Sequence, residues 1–103
     1  MSLPFQAPGS IVSGRCYRII QVSGREPADL DDFVGDAEFV LDLDGERYDV
    51  HGTGASSPAG PRFHEKESMG YGRDVRVWAI HADPQGGFLA DHVTSAQPPC
   101  LSS

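Results

Sequence analysis

The sequence predicts a mainly β domain, a small closed barrel of five strands, and three observations carry that reading. Residues 38–51 alternate apolar and polar side chains on both sides of an Asp44-Gly45 pair. Three further segments, 14–23, 74–82 and 88–95, are rich in β-branched and aromatic residues. Clusters of glycine, proline and small residues separate these runs. Strands so short and numerous favour closure, which leaves no sheet edge exposed.

The elements follow in chain order. Strand one spans 14–23, Arg-Cys-Tyr-Arg-Ile-Ile-Gln-Val at its centre. Its facing is open, because Tyr17 and Ile19 oppose Cys16, Ile20 and Val22. Residues 25–36 form an acidic connection in which Asp29 can cap a helical turn that buries Leu30 and Phe33. The hairpin comes next. Phe39, Leu41 and Leu43 point inward, and Asp44-Gly45 tolerates the positive φ angles of a type I′ turn. Glu46, Tyr48 and Val50 then alternate with Arg47, Asp49 and His51. Residues 52–61 read as a loop of small residues. Residues 61–69 read as one short helix, with Pro61 suited to its first turn and Gly70 to its stop. Residues 74–82 form the next strand, with Val75, Val77 and Ala79 on one face and Arg76, Trp78 and Ile80 on the other. A turn at 83–87 leads to the last strand.

A flexible arm at 1–10, a single barrel domain at 11–95 and a flexible tail at 96–103 complete the organisation. A helix between strands three and four is the OB-fold arrangement, so the chain resembles an OB-fold in element order.

Composition bounds the function. The 103 residues make one domain, long enough to bury a core without staples. Residues 24–51 hold ten acids against two arginines, a net of −8 within a whole-chain charge of −7. Such a segment repels phosphate backbones. Arginine outnumbers lysine seven to one and asparagine is absent, a bias that suggests GC-rich coding and a bacterial source. No apolar run is long enough to span a bilayer and no leader is visible, so no membrane association and a cytoplasmic location are expected. Cys16 in an apolar run and Cys100 in a Pro-Pro-Cys tail are expected to be free thiols in a reducing compartment.

The candidate chemistry is sparse. His51, His64, His81 and His92 are at least ten residues apart, unlike the paired ligands of zinc sites. His64-Glu65 begins a zincin motif that Ser68 breaks. Asp91-His92 and His81/Asp83 fall near one another on the last hairpin, but solvated histidines are the default, and no metal is assigned. Gly52-Thr-Gly54 follows a strand without completing a nucleotide-binding fingerprint. No cofactor and no catalytic residue is assigned.

The most suggestive set is aromatic and basic. Trp78 and Arg76 share a strand face, and Arg18, Arg47 and Tyr71 can join them around a closed barrel. OB-folds hold single-stranded nucleic acid with such aromatics and arginines. The competing reading is that Trp78 completes the core with Ile80 and a tyrosine ring. The sequence therefore predicts a non-catalytic interaction module whose acidic surface engages a protein partner. Single-stranded nucleic-acid binding by Trp78, Arg76, Arg47, Arg18 and Tyr71 is the alternative, disfavoured by net charge. A small metal-dependent or hydrolytic enzyme is the third.

Overall fold

A computed structural model describes residues 11–58, 60–67, 73–93 and 100. Six antiparallel strands form a closed barrel: β1 (Cys16–Val22), β2 (Gly35–Leu43), β3 (Glu46–Ala55), β4 (Arg62–Lys66), β5 (Asp74–Ala82) and β6 (Phe88–His92). Each strand pairs with its neighbours in sequence, and β6 closes on β1. One 3-10 turn, Leu30–Phe33, links β1 to β2.

The closed β-barrel is as expected, with six strands in place of five. The sixth is β4, where a helix was expected. Phe63 and Glu65 point inward while Arg62, His64 and Lys66 are only half-buried, which is the period of a strand. An acid on the inner face hides that period from a reading that places charges outside. The strand order is an up-and-down meander, whereas an OB-fold is a Greek-key barrel.

The hairpin turns at Asp44-Gly45, with φ of 58° and 98°, and Phe39, Leu41 and Leu43 are buried. Its strands run further than expected, pairing Gly35 with Gly54. The expected loop at 52–61 is therefore strand as far as Ala55. Gly52 and Gly54 are buried on the inner face, where neighbours leave no room for a side chain. The ambiguous facing of β1 has a local cause. Its register shifts between Ile19 and Gln21, so Tyr17, Ile19 and Val22 all point into the core.

Asp29 caps the 3-10 turn through a complete capping box. Phe33 is buried beneath it, but Leu30 is exposed, because so short a turn presents only one residue to the barrel. Phe33 plugs this end. From it a column of parallel rings crosses the interior: Phe33 to Phe39 at 6.4 Å, Phe39 to Phe63 at 4.0 Å, and Phe63 to Trp78 at 5.9 Å. Tyr17 meets Trp78 edge-on at 6.3 Å.

The two cysteines correct the expectation of free thiols, since Cys16 and Cys100 form a disulfide. Barrel closure explains it. Because β6 lies beside β1, the chain leaving β6 returns to Cys16, 84 residues back in sequence. Cys100 is the one described residue of the expected tail; the expected arm at 1–10 lies outside the described residues. No helix among the described residues is long and apolar enough to cross a membrane.

Candidate functional site

Two arrangements carry chemistry. The first lies inside the barrel at the end opposite Phe33. β3, β4 and β5 bring Tyr48, Glu65, Arg76 and Trp78 together because all four occupy inward positions of their strands. Glu65 is 5% exposed, yet its carboxylate is fully engaged. Oε1 accepts from Trp78 Nε1 at 3.0 Å. Oε2 accepts from the Tyr48 hydroxyl at 2.7 Å and from Arg76 at 3.2 Å. Arg76 also donates to the Tyr48 oxygen at 3.2 Å. A buried charge is tolerated when paired and hydrogen-bonded, and this set meets both conditions from within. Burial, and then the bond to Glu65, push the Tyr48 phenol above its ordinary range.

His92 sits at the edge of this cluster, 5.7 Å from the Trp78 ring, with its Nδ1 3.1 Å from the Ser13 hydroxyl. Burial lowers its pKa, and the nearby charge of Arg76 acts in the same direction.

The second arrangement is the outer surface of the acidic segment. Of the ten acids in 24–51, nine are exposed and Asp42 is half-buried. Among the described residues only Asp44 and Asp49 of these ten form ion pairs, with Arg15 and Arg47 at 2.7 and 2.8 Å. Several of the others accept from local polar partners instead. Asp36 accepts from the Thr53 hydroxyl, and Asp42 from the Gly45 N–H. The N–H groups of Ala28 and Asp29 hold Asp32 below the usual carboxylate range. The resulting surface runs from the 3-10 turn along β2 to the hairpin turn.

The aromatic–basic set divides. Arg76 and Trp78 do stand together inside the barrel, where Trp78 is 0% exposed. Arg18 and Arg47 are exposed on outward-facing strand positions. Arg47 is held by Asp49, and Arg18 stands opposite Asp42 and Leu89. Tyr71 lies outside the described residues. Trp78 thus completes the core, packed on Tyr17 and Phe63.

Sequence reasoning missed the Tyr48–Glu65 pairing. Its signal was the shared parity of Phe63 and Glu65, legible only once 62–66 is read as a strand. The histidines are also dispersed. His51 lies on β3 opposite Glu38, and His64 pairs with Asp74 at 2.7 Å. His81 faces Asp91 on the outer wall. No protein-family model, curated protein or solved structure matches the chain.

Proposed function

We propose that this barrel is a non-catalytic interaction module that presents its acidic surface to a basic protein partner. The observation that carries the reading is the outer face of 24–51, where exposed carboxylates greatly outnumber their cationic partners. Fields of one sign steer an oppositely charged partner and raise the rate of encounter. Two further features favour recognition on the outside of the wall. Stacked rings fill the interior, and the buried Glu65 cluster spends its hydrogen bonds on its own members. A buried Trp78 also offers no stacking platform to a base, which weighs against the nucleic-acid alternative.

A labelled arginine- and lysine-rich peptide tests the reading by fluorescence anisotropy. Binding is expected at low salt, weaker as salt is added, and lost in the triple variant Asp36→Asn, Glu38→Gln, Asp42→Asn. Equal binding by that variant refutes the proposed surface. A mixed-sequence oligonucleotide that binds at sub-micromolar concentration and quenches Trp78 replaces this function with nucleic-acid binding. A cytoplasmic location belongs to the same reading. Cytosolic thiols are held reduced, so thiol trapping in cells tests it, and finding the Cys16–Cys100 bond intact there refutes a cytoplasmic location.

A further inference from the structure

On the outer wall where β6 joins β1 and β5, three metal-ligating side chains, His81, Asp91 and Cys100, converge, and Cys16 is bonded to one of them. Cys16 of β1 stands opposite Asp91 of β6, and Asp91 stands opposite Ala79 of β5, two residues from His81. Cys100 is drawn over them by its bond to Cys16, with a Cα–Cα distance of 5.4 Å, and by donating its N–H to Asp91 Oδ2 at 3.1 Å. Ligand atoms of His81, Asp91 and Cys100 all lie within 4.8 Å of one another.

Two of these groups are placed as ligands usually are. Asp91 is 3% exposed, although its position faces away from the barrel interior, and backbone N–H groups of Gly14 and Cys100 orient its carboxylate. His81 Nε2 is buried without a hydrogen-bond partner among the described residues and points toward Asp91 Oδ2, 3.9 Å away. A buried polar atom left unsatisfied is costly, so its position calls for a partner. Sulfur, imidazole and carboxylate together suit a tetrahedral zinc ion. Zinc–ligand bonds of about 2.0–2.3 Å put tetrahedral donors roughly 3.3–3.8 Å apart, so a contraction of about 1 Å brings His81, Asp91 and Cys100 to zinc distances, and Cys16, bonded to Cys100, is the neighbouring fourth donor.

We propose that reduction of the Cys16–Cys100 disulfide converts this cluster into a zinc site with Cys16 Sγ, Cys100 Sγ, His81 Nε2 and Asp91 Oδ2 as ligands. A dithiol reductant supplies the two electrons and two protons. The protein S–S bond breaks, each cysteine becomes a thiol, and the dithiol closes to its own disulfide. Zinc then displaces the two thiol protons to solvent and binds the thiolates. In the oxidised chain the sulfurs are spent on each other. One link between β1 and the chain after β6 thus replaces another, and the same four residues serve both states.

The test uses the full chain, reduced with a dithiol and freed of reductant without air. Cobalt is added first, then zinc. One cobalt per chain is expected, with thiolate-to-metal charge transfer and the visible bands of a tetrahedral site, both abolished by zinc. The oxidised chain is expected to show neither. His81→Ala removes an imidazole whose Nε2 makes no hydrogen bond among the described residues and lies 3.9 Å from Asp91, and the variant's fold is checked by Trp78 fluorescence. It is expected to weaken binding at least about tenfold. If the reduced chain unfolds, zinc is expected to refold it, and a failure to do so refutes the site. The proposal is equally refuted by a reduced chain that binds no metal, by a folded His81→Ala chain of unchanged affinity, or by an oxidised chain that binds as well.

Discussion

Replacing Gly54 with alanine is expected to unseat the plug of the barrel. A Cβ built on Gly54 falls 1.5 Å from the carbonyl oxygen of Phe33 and 2.7 Å from its carbonyl carbon. Non-bonded heavy atoms need about 3.5 Å, so the two backbones must separate by roughly 2 Å. Neither atom belongs to a flexible side chain, and β3 is held on both sides by β2 and β4. The 3-10 turn is the element free to lift. It carries Phe33 away from Phe88, 5.1 Å off and edge-on, and from Phe39. Emptying a site filled by a core phenylalanine costs about 3–5 kcal/mol, a large part of the roughly 5–15 kcal/mol that stabilises a domain. With a urea slope of about 1–3 kcal/mol per molar, the unfolding midpoint falls by about 2 M. The single tryptophan, Trp78, reports the transition by fluorescence. Phe33→Ala is expected to cost a similar amount, and the double variant less than the sum, because both changes act through one seat. A midpoint for Gly54→Ala within scatter of the parent, or strict additivity, refutes the reasoning.

Gly45→Val is expected to cost about 1–3 kcal/mol in the same assay, since Gly45 has φ of 98° in open space and the penalty is purely conformational. Glu65→Ala should cost about 3 kcal/mol by leaving the half-buried Arg76 without its carboxylate and the Trp78 and Tyr48 donors without their acceptor, whereas Tyr48→Phe keeps the ion pair and should cost about 1 kcal/mol; the reverse order rejects the account of the cluster. His92 has a lowered pKa when folded, so the folded chain takes up its proton less readily than the unfolded one. Its contribution is fully present above about pH 6.5 and is lost as pH falls toward the folded pKa. Urea midpoints measured down to about pH 5 should decline less in His92→Gln than in the parent, and parallel curves reject the assignment. Tyr48 has a raised pKa, so its neutral form is favoured by folding; stability should fall as pH rises above about 10, and absorbance should show one tyrosine ionising only with unfolding.

Local chemistry was enough to foresee much of the barrel. The Asp44-Gly45 turn, the inward set Phe39, Leu41 and Leu43, the bounds of β5 and the Asp29 cap all rest on residues close in sequence. Their conformations follow from side-chain alternation, positive φ and capping, so a single sequence exposes them. The acidity of 24–51 was equally visible, because exposed charge is a property of composition. What escaped depends on residues that meet only across the closed wall. Arg62–Lys66 is a strand because its inward Glu65 finds Tyr48, Arg76 and Trp78, partners from two other strands. Gly52 and Gly54 resembled loop punctuation until Phe63 and Phe33 were seen to occupy the space their side chains would need. The disulfide and the meeting of His81, Asp91 and Cys100 arise from β6 closing on β1, which joins the two ends of the domain. Periodicity reports which way a side chain points; only the closed barrel decides what it meets there, because those partners come from strands far apart in sequence.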